Sequence, residues 1–211
     1  MEKLKSTLPN MLLSLTGVCV IAGAILAGVN EMTKEPIAQS KAATLETAIK
    51  AVTPEFDNKP SEESYMVATA EGDSVRIYPA KKGDEWVGAA VESFTKKGFG
   101  GEIKLIVGFD KEGKIVNYSV LQHAETPGLG AKMQDWFSTD KGNQSIIGRA
   151  ISADGLKVKK DGGDVDAITA ATISSRAFLD AVNRAYSAYS GVDATGAATS
   201  KSSEEGGNSN E

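Results

Sequence analysis

Nineteen consecutive residues without a charge, Met11 to Val29 (MLLSLTGVCVIAGAILAGV), constrain this chain more than any other feature. At about 1.5 Å per residue a helix of that length crosses about 30 Å, the hydrocarbon thickness of a bilayer. Lys3 and Lys5 precede the run, and the next basic residue is Lys34. That asymmetry of positive charge predicts an N-terminus in the cytoplasm and everything after Val29 outside. A cleaved export signal shares the basic start and the apolar middle. This run is longer than the usual apolar region of such signals, and neither a clear small-x-small cleavage pattern nor a lipid-accepting cysteine follows it. A retained anchor is the expectation, with membrane lipid as its first partner. Gly17, Gly23 and Gly28, with Ala22, Ala24 and Ala27, would admit another membrane helix at close range, and a plain lipid-facing helix accounts for them equally.

The remaining length suits one domain with accessories. The net charge of −5 is spread over the body and an acidic C-terminal stretch, and the lysine pairs Lys81/Lys82, Lys96/Lys97 and Lys159/Lys160 are scattered among acids. No basic stripe invites nucleic acid. Cys19, the single cysteine, lies inside the apolar run, and His123 is the single histidine. An intrachain disulfide, a thiolate metal site and a multi-histidine metal site are therefore all excluded. Nothing supports a nucleophile–histidine–acid triad around His123. There is no phosphate-binding loop of the Walker kind and no strand–glycine turn–helix unit for a dinucleotide. A redox role would need an organic cofactor.

Beyond the apolar run, Ile37, Leu45, Ala48, Ile49 and Val52 fall on one face of a helix that Pro54 ends. Strands are predicted at SYMVATA (64–70), SVRIYPA (74–80) and EWVGAAVESFT (85–95), with KKGD (81–84) as a turn and GFGG (98–101) as a loop. The clearest hairpin joins EIKLIVGFD (102–110) through KEG to KIVNYSVLQHAE (114–125), because Ile103, Leu105 and Val107 alternate with smaller or polar neighbours. A short helix is expected over Met133–Phe137, a further strand at LKVKK (156–160), and a helix over Ile173–Tyr189. From Gly191 the Gly/Ser/Thr/Asn/Glu-rich composition predicts disorder. The fold class is α+β, with expected boundaries at 1–30 for the cytoplasmic start and anchor, 31–190 for the domain, and 191–211 for the tail.

Two stretches are left to carry chemistry. In ETPGLG (125–130), Pro127 fixes one backbone angle while Gly128 and Gly130 open others, so backbone amides could lie against a planar ligand or an anion. An ordinary tight turn has the same composition. In DAITAATISSRAF (166–178), Thr169, Thr172, Ser174 and Ser175 crowd the start of an apolar helix. A threonine N-cap would stabilise the helix by about 1 kcal/mol and would explain one hydroxyl, with Ser175 as a local partner. It would not explain four. A helix N-terminus also favours a negative group, so a phosphate ester on Thr172 would be well placed.

DAITAAT (166–172) resembles the flavinylation motif of FMN-binding domains, in which the last threonine is joined to FMN through a phosphoester. GFGGEI, VGFDKEGKI and HAETPGLG resemble the same family's Gly-Gly loop, hairpin and flavin-contact loop, in the same order. The single anchor and the chain length are most similar to the G subunits of Rnf electron-transport complexes. The resemblance covers roughly Ser93 to Tyr189. It implies an extracytoplasmic α+β domain, antiparallel sheet with flanking helices, on the bacterial inner membrane. It further implies one FMN on Thr172, placed there by a flavin transferase, and the other Rnf subunits as partners in electron relay. Asp166 would help present the segment, and Thr169, Ala171 and Ser175 would lie at the site. Glu125, Thr126, Gly128, Leu129 and Gly130 would hold the isoalloxazine. A stand-alone anchored flavoprotein and an anchored module without cofactor are the alternatives. The family usually shows Ser/Thr-Gly-Ala-Thr, whereas Ala170 stands here in place of the glycine. An alanine is harmless there at negative φ and costly at positive φ.

Overall fold

The alternating stretches between Tyr65 and Gln122 form five strands, each pairing antiparallel with the next in chain order. The computed structural model describes residues 7–69 and 72–191. It places β1 at Tyr65–Ala68, β2 at Ser74–Lys82, β3 at Glu85–Thr95, β4 at Ile103–Asp110 and β5 at Ile115–Gln122. Among the described residues three helices accompany the sheet: α1 at Leu8–Val52, α2 at Met133–Trp136 and α3 at Thr172–Ser190, with 3₁₀ turns at Gly130–Lys132 and Lys159–Asp161. The expected α+β class, with an antiparallel sheet and flanking helices, is the one observed. Lys3, Lys5 and the acidic tail beyond Gly191 lie outside the described residues.

The chain divides into two compact units between Thr44 and Leu45. In the first, α1 carries an apolar stretch long enough to cross a membrane, none of it buried. In the second, both faces of the central strands are covered, and the period of two sorts their side chains. Ala89, Val91, Leu105, Val107 and Phe109 pack with Ala177, Phe178, Ala181, Val182 and Ala185 of α3. Ala90 and Ile106 point the other way, onto Ala48, Ile49 and Val52 at the end of α1. The approach there is close: a Cβ on Gly108 would stand 1.7 Å from the Val52 carbonyl oxygen. Phe178 anchors the α3 side, stacked on Phe137 at 4.4 Å and meeting Tyr118 edge-on at 5.0 Å.

Three expectations shift. The KKGD turn shrinks to Gly83–Asp84, because Lys82 pairs with Glu85 and Gly83 takes φ 62, a conformation two-residue hairpin turns use. The last strand stops at Gln122, so Glu125 stands clear of the sheet. LKVKK is not a ladder strand. Val158 makes one parallel bridge to Val165, and the chain then coils into the Lys159–Asp161 turn. Gly162, at φ 81, and Gly163, whose Cβ would lie 2.1 Å from the Lys157 carbonyl oxygen, reverse the chain too soon for a longer pairing.

Candidate functional site

Three segments converge on the N-terminus of α3: the glycine loop after β3, the stretch leaving β5, and the turn entering the helix. Phe99, Thr126, Leu129, Gly130 and residues 170–174 line an open cleft of about 330 Å³, within the range of small-molecule sites. Its rim is apolar. Phe99 is 70 % exposed, Ile173 51 % and Leu129 39 %, so these side chains are held out of the core beside the cleft.

The entering turn is closed by the Ala171 N–H donating to the Ile168 carbonyl at 3.0 Å, with Thr169 and Ala170 in its middle. Ala170 has φ 60, the single positive φ outside glycine among the described residues. Positive φ at the third position is the mark of a type II turn and favours glycine. The alanine is therefore on the costly side of the question raised by the sequence, by about 1 kcal/mol or more.

Thr172 is the first residue of α3 rather than its cap. Ala171 is the N-cap, and no side chain caps the helix. The first backbone bond at this end is Ser175 N–H to the Ala171 carbonyl, 3.0 Å, so the amides of Thr172, Ile173 and Ser174 lie ahead of the helical ladder. The hydroxyls separate into two kinds. Ser175 is fully buried; its Oγ donates to the Ala171 carbonyl at 2.9 Å and accepts the Ile168 N–H at 2.9 Å. Ser174 donates to Glu125 Oε2. The hydroxyls of Thr169 and Thr172 bond to nothing among the described residues, and only Thr172 lines the cleft.

Glu125 is 5 % exposed, and its carboxylate sits behind the cleft wall. Oε1 accepts the Gly100 N–H at 2.9 Å while Oε2 takes the Ser174 hydroxyl. The surrounding glycines are there for lack of room: a Cβ on Gly98 would lie 2.6 Å from Oε1, and one on Gly130 2.7 Å from Oε2 and 2.4 Å from Ser174 Oγ. Gly128 differs, open on all sides at φ 79. The exposed His123 faces the same strand end, its Nδ1 accepting the Glu125 N–H at 3.2 Å.

Asp166 is at the far end of the segment and does not line the cleft. Its carboxylate accepts Lys159 Nζ at 2.7 Å and the Asn143 N–H at 2.9 Å, and its carbonyl accepts Trp136 Nε1 at 2.8 Å. The Lys159 bond first, then the Asn143 amide, hold its pKa below the ordinary aspartate value. Next along α3, Arg176 clamps the buried Asp161 through two bonds of 2.7 and 2.6 Å.

Residues 98–187 match the FMN-binding domain family, which includes all three segments of the cleft. The chain is 36 % identical to the G subunit of the ion-translocating oxidoreductase complex of Shewanella amazonensis, over 85 % of this chain and 86 % of that one. It is 37 % identical to the G subunit of the Escherichia coli complex, over 76 % and 81 %, and 37 % identical to that of Photorhabdus laumondii, over 76 % and 79 %. The chain belongs to the G-subunit family.

Of the residues singled out for this G-subunit chain, the structure gathers Thr126, Leu129, Gly130, Ala171 and Thr172 along one cleft. Glu125 lies behind it, Gly128 stands on the exposed tip of its loop, and Thr169 points from the turn into solvent. Ser175 is turned into the core, because both of its hydrogen bonds are spent on the backbone below the helix. Phe99 and Ile173 are cleft residues that sequence reasoning missed, and Ala170 and Ser174, noted there without a place in the site, line it as well. A phenylalanine between glycines was the one available signal for Phe99. Ile173 was hidden by the helical pattern in which it sits.

Proposed function

We propose that this protein is the FMN-carrying electron relay of an ion-translocating Rnf-type complex, with FMN esterified to Thr172. The observation that carries the reading is the Thr172 hydroxyl, unbonded at the mouth of an apolar cleft, while Ser174 and Ser175 beside it are both engaged. The amides at the start of α3 suit a phosphoester. Phe99, Leu129 and Ile173 suit a flat, largely apolar ring system. Bound FMN supplies one-electron transfer, and the protein supplies position and surroundings. Thr169–Ala171 hold the attachment point outward on a tight turn, and Thr126 and Gly130 form the opposite wall.

Attachment needs a flavin transferase with FAD. The Thr172 Oγ–phosphorus bond forms, the pyrophosphate bond of FAD breaks, AMP leaves, and the hydroxyl proton goes to solvent. In this reading α1 is a single anchor in the inner membrane, its N-terminus cytoplasmic and the cleft-bearing domain outside, where a lost flavin is hard to replace. The partners are the other subunits of the complex, whose relatives' names supply that assembly.

Intact mass of chain made with an active transferase tests the reading. An increase equal to FMN less one water, on the peptide holding Thr172 and absent from Thr172→Ala, is expected. A colourless chain of unaltered mass would overturn it. Purification from the membrane with further subunits separates a complex member from a solitary carrier.

A further inference from the structure

Resting on the assignment of the flavin to Thr172, we infer that Glu125 is a positioning residue that presents Thr172 for flavinylation without touching the flavin. A carboxylate 5 % exposed, with no ion pair among the described residues, is expensive to keep and requires good hydrogen bonds. Glu125 has them from two different segments: the Gly100 amide at 2.9 Å and the Ser174 hydroxyl. Its own backbone belongs to a third, the stretch that continues into Thr126 and Leu129. One side chain thus ties together the loop bearing Phe99, the opposite wall of the cleft, and the first turn of α3. Gly98 and Gly130 have given up their side chains to let these segments close on the carboxylate.

Ser174 is two residues beyond Thr172, in the same helical turn. Holding the Ser174 side chain fixes how that turn faces the cleft, and with it the direction of the Thr172 hydroxyl. Phosphoryl transfer to a hydroxyl depends steeply on such placement, and a misplacement of about 1 Å can cost a hundredfold. The negative charge itself is not required by this role. A glutamine at 125 accepts the Gly100 amide through its oxygen and donates its amide to Ser174 Oγ, which reverses as acceptor.

The test measures the rate of FMN attachment, by intact mass, with purified transferase and FAD on the full chain in detergent. Glu125→Ala is expected to slow attachment tenfold to about a hundredfold. Glu125→Gln should restore it to within about twofold, and Ser174→Ala should be slowed, more mildly than Glu125→Ala. Amide exchange on unmodified protein gives an independent readout: Gly100 should lose protection in Glu125→Ala and keep it in Glu125→Gln. Attachment at the wild-type rate in folded Glu125→Ala, or a Gln variant as slow as the Ala variant, overturns the inference. Should Glu125→Ala not fold, a Ser174→Ala chain modified at the wild-type rate overturns it. A wild-type chain left unmodified by active transferase would instead sink the Thr172 reading. Unchanged Gly100 exchange in Glu125→Ala would then remove the Glu125 pin as well.

Discussion

At its C-terminus α3 closes on Gly191 at φ 71, whose N–H donates to the Ser187 carbonyl at 2.9 Å; at its N-terminus the cap is Ala171, with no side-chain bond, one residue after Ala170 at φ 60. A left-handed residue stands at each end of the helix. At one end it is a glycine, where the conformation costs little and the backbone N–H closes on the Ser187 carbonyl. At the other it is an alanine, which bears strain, and three amides are left without helical partners. Backbone strain collects at the end facing the cleft, and the other end reaches the same left-handed region without it. Structural economy alone would have finished both ends alike.

The largest effect that sharpens this contrast is Thr172→Ala. All covalent FMN should be lost, while unfolding free energy in urea stays within about 0.5 kcal/mol of wild type, since the hydroxyl has no partner among the described residues to lose. Next comes the buried flank of the helix. Asn183 is fully buried and holds Leu156 by both backbone groups, Oδ1 accepting the N–H at 2.7 Å and Nδ2 donating to the carbonyl at 3.0 Å. Asn183→Ala should cost about 3 kcal/mol by stranding two buried groups, with the attachment of FMN to folded protein unaffected. Ala170→Gly works at the strained end and in the opposite sense. It should gain about 1 kcal/mol, reduced by the freedom glycine adds to the unfolded chain, and a loss of stability would contradict the left-handed turn.

The smallest effect is visible only against pH. The folded pKa of Asp166 is lowered below its ordinary 3.8 by Lys159 and the Asn143 amide. A depressed carboxylate contributes stability above its unfolded pKa and loses it as pH falls through the folded one. The gap in melting temperature between wild type and Asp166→Asn should therefore be constant near neutrality and close in acid, below about pH 4. A gap that persists under those conditions would assign the difference to something other than the carboxylate charge.

Much of the architecture was legible because it rests on period and punctuation. The strands around Val91 and Val107 stood out as apolar runs and Gly83 marks its turn, while the cover on their second face, where Ala90 and Ile106 meet the end of α1, was not in the pattern. LKVKK misled because Val158 and the lysines matched a strand locally, while Gly162 undoes it through its φ of 81 and Gly163 through close approach to Lys157, a contact no local pattern records. At the site, Thr172 and the 125–130 loop stood out as motifs, yet motif membership did not distinguish a wall residue from a support. Ser175 and Ser174 are neighbours in sequence and hydroxyls alike, and the 100° step of the helix sends one to the core backbone and the other to Glu125. Glu125 itself read as a loop residue near a ligand. Its burial depends on three segments meeting, which only the fold reveals.

The contact between Gly108 and the Val52 carbonyl has a practical corollary for preparing a detergent-free version of the domain. Residues 45–52 are a lid on the back of the sheet, covering Tyr78, Ala90 and Ile106, so trimming must stop short of Leu45. A fragment starting at Phe56 would bare that greasy surface and clump. One that keeps the last two turns of α1 retains its own seal.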